Sequence, residues 1–381
     1  MIKLTIPSIE EDDIQAVREV LKSGYLVQGE RVAAFEQIVA DYVGTKYAVA
    51  VSNCTAALHL SLLALDVRPG DIVLVTAYSW LSTANVIELC GAQPVFIDIR
   101  PDTFNMDPDC LKNTLTHLIS DQSISRRVKA ILPVHTFGQQ ADMPAILEMA
   151  ARYNLPVIED AACALGATLH GRQAGTWGIM GCFSFHPRKA ITTGEGGIVT
   201  TNDASLTRRL KALRNHGQDP EASYPDFVMP GFNYRMTEFQ AAFGITQMKK
   251  IERIIEARRF LASNYNKMLK DTSVIIPELA EGSNPVYQSY VVLLPKKAAP
   301  QRQKLIDRLK KEGIETAIGT WNMPMTRYYS NRYGLQAGDF PSADKVFRRA
   351  LTLPLYEQLT EIEQESIVRK LLDILCVKGV K

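Results

Sequence analysis

Between about residue 46 and residue 215, short apolar runs of strand length alternate with stretches of helical spacing. The runs are 46–51, 72–75, 93–97, 130–133, 156–159 and 182–185, and the helical stretches include 55–65, 81–90 and 143–153. Near-continuous apolar strands separated by helices predict an α/β fold with a mainly parallel sheet covered on both faces. Ligands of such sheets sit beyond the carboxyl ends of the strands. Ser8 and Glu11 have capping-box spacing and predict a helix over 10–22, which Ser23-Gly24 stops. A long polar helix is expected from Thr237 through Arg259. It leads into a C-terminal part with a strand at 288–294, a helix at 301–311, a strand at 315–318 and a final helix at 361–375. A chain of 381 residues suits two domains. The expected division is a large domain over 1–248 and a smaller α+β domain over 249–381, with residues 1–25 able to pack against the small one.

Composition narrows the class. Hydrophobic residues make up 46% and charged residues 22%, with a net charge of +2. That is a soluble globular balance, and the basic face expected of a nucleic-acid binder is missing. No apolar run reaches the ~18 residues of a membrane helix, and the start of the chain lacks a signal-peptide core. The six cysteines are scattered, with no CxxC pair, so neither a metal site nor a disulfide framework is expected. Free thiols point to a reducing cytoplasm.

The candidate chemistry centres on Lys189. An apolar run ends at His186-Pro187, Lys189 follows, and then comes the turn Thr192-Thr193-Gly194-Glu195-Gly196-Gly197. A lysine desolvated there would have a lowered pKa and could attack carbonyls. Upstream, Pro156-Val157-Ile158-Glu159-Asp160 ends a second apolar run in acid. This pairing is what a pyridoxal phosphate site needs: the lysine forms the Schiff base and the carboxylate holds the pyridine nitrogen protonated. Each residue alone reads more simply, as a surface lysine and a helix cap. Ser52-Asn53-Cys54-Thr55-Ala56 lies between a strand and a helix, where backbone N–H groups and the Thr55 hydroxyl suit a phosphate. Simple capping by Ser52 or Asn53 is the plainer reading. Neither GxxxxGK[ST] nor an early GxGxxG occurs, which weighs against nucleotide-hydrolysing and dinucleotide sites. Trp80 could stack on a planar ring, Ser184 could reach a phosphate, and His135 and His186 lie near strand ends as pocket residues. Thr237 is a predicted N-cap.

These residues resemble the DegT-type nucleotide-sugar aminotransferases, which are type I pyridoxal phosphate enzymes. The resemblance runs from Ser23-Gly24 and Gln28-Gly29, through 52–58, 95–98, 157–162 and 183–197, to 231–236 and Leu353-Pro354-Leu355. It implies a seven-stranded, mainly parallel sheet with a smaller C-terminal domain. It further implies Lys189 as the Schiff-base lysine and Asp160 at the ring nitrogen. Thr55, the Ala56 backbone and Ser184 would lie on the phosphate, Trp80 on the ring, and Cys163 near the cofactor's hydroxyl side. Asn233 would come from the partner of a homodimer. Gly29, Arg31, His186, Arg188, Tyr234 and Arg327 are the candidate substrate contacts, each arginine having the simpler reading of a solvated charge. Two departures stand out: Cys163 replaces the usual Gln or His, and Trp321-Asn322-Met323-Pro324-Met325 lacks the usual His. The implied reaction moves an amino group from L-glutamate to a keto sugar of a nucleoside diphosphate. A cyclitol ketone or a non-catalytic regulatory use are the alternatives. A sugar dehydratase on this fold would carry histidine at position 189.

Overall fold

The computed structural model describes residues 1–376; the end of the expected small domain, 377–381, lies outside the described residues. Seven strands form the central sheet: β1 Tyr47–Val51, β2 Ile72–Thr76, β3 Gln93–Ile97, β4 Val128–Leu132, β5 Ile158–Asp160, β6 Met180–Ser184 and β7 Gly197–Thr201. Their order is β1-β7-β6-β5-β4-β2-β3, with β4 and β5 joined through the parallel bridges Ile131–Val157 and Val134–Asp160. Only β7 runs antiparallel to its neighbours. The expected mainly parallel sheet is therefore present.

Alternation along each strand divides the core between the two faces. On β1, Val49 and Val51 join one cluster while Ala48 and Ala50 join another. On β2, Val73 and Val75 face the helix Cys54–Ala64, and Ile72 and Leu74 face the helices Pro108–Ser120 and Met143–Arg152. A separate apolar cluster gathers Leu261, Tyr265, Tyr290, Leu309, Leu353 and Leu371 from the C-terminal part. The N-terminus touches both regions. Ile2 bridges Ile314, and the helix Glu11–Ser23 packs on Glu238–Met248.

Four local expectations are corrected. The cap of the first helix is Glu10, boxed with Asp13, while Ser8 is buried and donates to Glu357. The long helix breaks at Lys249-Lys250 into Glu238–Met248 and Ile251–Leu269. Thr237 does cap the first of these, with Gln240 closing the box. Residues 315–318 form no strand: Glu315 bonds Ile2, while Ala317 bridges Thr352 on the free edge of Ala350–Leu353, so the segment changes partner after a single bridge on each. Strand β7 is not among the expected strands; only its first residue, Gly197, falls in the expected glycine-rich turn, and the strand is fully buried inside the sheet.

Candidate active site

Asp160 closes β5 at the carboxyl edge of the sheet and is 3% exposed. Its Oδ2 accepts from Thr83 Oγ1 at 2.7 Å, and its Oδ1 accepts from the Ala162 N–H at 3.2 Å. Ser79 Oγ lies 3.0 Å from Thr83 Oγ1, which extends the buried chain of hydroxyls. Burial pushes the Asp160 carboxyl up. The Thr83 and Ala162 hydrogen bonds and the charges of Lys189 and His135 offset that only in part. Thr83 carried no sequence signal of its own; only its place in the first turn of the helix Ser82–Leu89 brings it to Asp160.

Lys189 sits on a tightly bonded turn after β6. Its N–H donates to His186 O at 2.8 Å, and Phe185 O receives both the Thr193 N–H at 3.0 Å and the Thr192 hydroxyl at 2.9 Å. Gly194 takes φ +81°, which a side chain would strain. Lys189 Nζ reaches Cys163 Sγ at 3.1 Å, so the turn meets the chain three residues beyond Asp160. The expected lowering of the Lys189 pKa is not found. Burial does favour the neutral amine, but the acidic groups of Cys163, Cys54 and Asp160 outweigh it and the net direction is upward.

The cradle opens the helix Cys54–Ala64. Asn53 caps it by accepting from the Ala56 N–H at 2.9 Å, so that N–H is engaged, while Cys54 and Thr55 N–H find no protein acceptor among the described residues. Thr55 is exposed. Gly197 lies so close beneath the turn that a Cβ there would stand 2.4 Å from Asn53 C and O. Ser184 ends β6, and Trp80 is 65% exposed, unusual for a tryptophan in a strand-end loop.

The other candidates fall elsewhere in the local architecture. Glu238, 5% exposed, accepts the N–H groups of Gly29, Arg31 and Val32 at 2.7–2.9 Å, so Gly29 and the Arg31 backbone serve a helix start. The Tyr234 ring stacks on Phe232 at 4.9 Å and its hydroxyl lies 3.4 Å from His59 Nδ1. Asn233 is exposed and pairs through its backbone with Asn215. Arg327 opens the helix Arg327–Tyr333 with an exposed side chain. His186 accepts the Arg188 N–H at 3.2 Å, and burial lowers its pKa. His135 is not a pocket residue: it is fully buried, with Nε2 2.8 Å from Glu159 Oε2 and Nδ1 accepting from the Ala141 N–H. Among the described residues no group of three His, Cys, Asp or Glu is placed to hold a metal, and no helix is long and apolar enough to cross a membrane.

The donor set fits a phosphorylated pyridine aldehyde. Asp160 is a buried carboxylate with no ion pair among the described residues, the Lys189 amine meets Cys163 three residues beyond it, free N–H groups open the helix Cys54–Ala64, and Trp80 presents an exposed ring. Fold and site together define a pyridoxal-phosphate aminotransferase. The chain belongs to the DegT/DnrJ/EryC1/StrS aminotransferase family, whose model matches residues 7–372. It is 37% identical to the GDP-perosamine synthase of Caulobacter vibrioides, covering 98% of both chains. Its structure is similar to Helicobacter pylori PseC, an aminotransferase involved in the biosynthesis of pseudoaminic acid, with a TM-score of 0.90, 27% identity and 98% of each chain covered. The PLP form of the putative sugar aminotransferase Spr1654 from Streptococcus pneumoniae matches equally well, with a TM-score of 0.90, 27% identity and 98% of each chain. Enzymes of this family depend on pyridoxal phosphate, and this chain is a transaminase.

Proposed function

We propose that the protein moves an amino group from L-glutamate to the ketone of a sugar carried on a nucleoside diphosphate, as a step of amino-sugar biosynthesis. The observation that carries this reading is the contact of Lys189 Nζ with Cys163 at 3.1 Å, which brings the lysine turn onto the segment that begins with Asp160. The names of the similar proteins support the sugar acceptor.

When bound, pyridoxal phosphate supplies an electron sink for the carbon that bears the amino group. Lys189 Nζ would hold the cofactor until the donor amine displaces it. The freed Nζ would then carry a proton between the substrate carbon and the cofactor carbon. Asp160 would keep the ring nitrogen protonated. Pairing Asp160 with that N–H would neutralise one of the charges that now hold Lys189 as an ammonium. The Thr55 hydroxyl, the free Cys54 and Thr55 N–H groups and Ser184 would orient the phosphate, with the Ala56 N–H joining them once Asn53 releases it; Trp80 would cover the ring, and Cys163 would sit at its hydroxyl side. Asn233 would reach the phosphate of the partner protomer in a homodimer. Its exposure, and that of Tyr25 and Val27, supports a covering subunit. We place the domain division at 248/249, where the long helix breaks. All six cysteines are unbridged, which supports a reducing, cytoplasmic setting.

The test is the visible spectrum of the purified protein with pyridoxal phosphate, before and after L-glutamate. A yellow band that bleaches is expected, and Lys189→Ala should bind the cofactor without forming the band and lose turnover. A wild-type band that glutamate leaves unchanged overturns the donor. Turnover surviving in Lys189→Ala overturns the site.

A further inference from the structure

Beside the Lys189 turn, a small cleft of about 80 Å³ opens between Arg188, the N-terminal segment at Leu4-Thr5 and the C-terminal part. Thr5, Arg188, Gln288, Ser289, Gly319 and Thr352 lie in its wall, and Arg188 is the one charged residue among those lining it. The Arg188 side chain is exposed and forms no hydrogen bond or ion pair among the described residues. Thr5 Oγ1 is buried and has no partner. The far wall is pinned from behind. Arg258, 2% exposed, donates to the carbonyls of Tyr287 at 3.2 Å, Gln288 at 3.1 Å and Leu355 at 3.4 Å. Gln288 Nε2 in turn donates to Arg188 O at 2.9 Å, so the wall and the Arg188 backbone are tied together.

We infer that this cleft is the subsite for the carboxylate of the amino-acid donor, with the Arg188 guanidinium as its cation and the Thr5 hydroxyl as a second donor. The inference rests on the aminotransferase reading above. An amino-acid donor carries a fixed negative charge on the carbon that bears its amine, and that carbon must approach the atom Lys189 holds. The neighbouring residue in the chain offers a free guanidinium, the group best matched to a carboxylate. A sugar ketone carries no charge at its reacting carbon, and its diphosphate lies several bonds away. An unpaired arginine next to Lys189 therefore suits the donor half of the reaction.

The experiment follows the bleaching of the pyridoxal-loaded protein by L-glutamate in a stopped-flow instrument, for wild type, Arg188→Gln, Arg188→Lys and Thr5→Val. Nucleoside diphosphate binding is measured in parallel by calorimetry with GDP and UDP. Loss of a charged hydrogen bond should raise the half-saturating glutamate concentration roughly 10- to 100-fold in Arg188→Gln, with partial recovery in Arg188→Lys and a smaller rise in Thr5→Val. Nucleoside diphosphate affinity and melting temperature should stay at wild-type values, since the side chain supports nothing else. Unchanged glutamate dependence in Arg188→Gln, or a fall in nucleoside diphosphate affinity in its place, overturns the subsite while leaving the function intact. A wild-type protein that does not react with glutamate fails earlier, and takes the functional reading and this inference with it.

Discussion

At the scale of single residues, Asp160 is held where its charge is costly. A folded-state pKa above the unfolded value means that the folded protein binds the proton more tightly. Stability without cofactor is then greatest below the ordinary value of 3.8 and declines as pH rises toward the raised value. Asp160→Asn removes that decline, so the cofactor-free variant should be more stable than wild type at pH 7, read as a higher urea midpoint. With cofactor the order should reverse, and turnover should fall by several orders of magnitude. A less stable cofactor-free variant at pH 7 would show that the carboxylate is needed for folding itself. The proposed Lys189 and Asp160 could be singled out from sequence because their pairing, an acid ending one apolar run and a lysine following another, is a local pattern. Thr83 and the Cys163 contact could not, since each depends on which side chain a second segment delivers.

Among elements, the joint between β7 and the phosphate turn is the tightest constraint on the site. A Cβ on Gly197 would meet Asn53 C and O at 2.4 Å and Cys54 N at 2.6 Å, all backbone atoms with nowhere to move. Gly197→Ala should destabilise the protein by about 2 kcal/mol and weaken pyridoxal phosphate binding, read as a lower melting temperature and a higher cofactor Kd. Unchanged cofactor affinity would detach β7 from the cradle. Six of the seven sheet strands could be read from sequence, because a short continuous apolar run bounded by turn residues is a local signal. β7 was masked by the adjoining 194–197 turn, although Ile198, Val199, Thr200 and Thr201 are β-branched and favour a strand. The break at Lys249-Lys250 was equally silent, since no proline or glycine marks it.

For the molecule as a whole, that break is clasped by the N-terminal helix. Lys250, 7% exposed, lies 2.6 Å from Asp13, 2.8 Å from Asp12 and 3.5 Å from Glu10. Asp13, 1% exposed, also accepts from Thr246 and Gln247. Burial raises the Asp13 carboxyl, but Lys250 and its other hydrogen-bond donors hold it below its ordinary value. The stabilisation is therefore present above the unfolded pKa and is lost as pH falls through the folded one. Lys250→Met leaves Asp13 buried without its cation and should cost about 3 kcal/mol at neutral pH, with a flatter acid limb in urea midpoints between pH 7 and pH 3. An unchanged acid limb would mean that the clasp does not govern acid stability.

The sequence by itself determined the α/β class and the mainly parallel sheet, and it marked Lys189, Asp160 and the 52–56 turn as the proposed site. Short apolar runs and chain-adjacent motifs are properties of a few neighbouring residues, so they survive without the fold. The tertiary structure alone decided what surrounds them. It placed Thr83 under Asp160, turned the Lys189 pKa upward, sent His135 into the core with Glu159 and left Arg188 unpaired over a cleft. Each of those outcomes depends on contacts between segments tens to hundreds of residues apart, where burial and neighbouring charge, not residue type, set the chemistry.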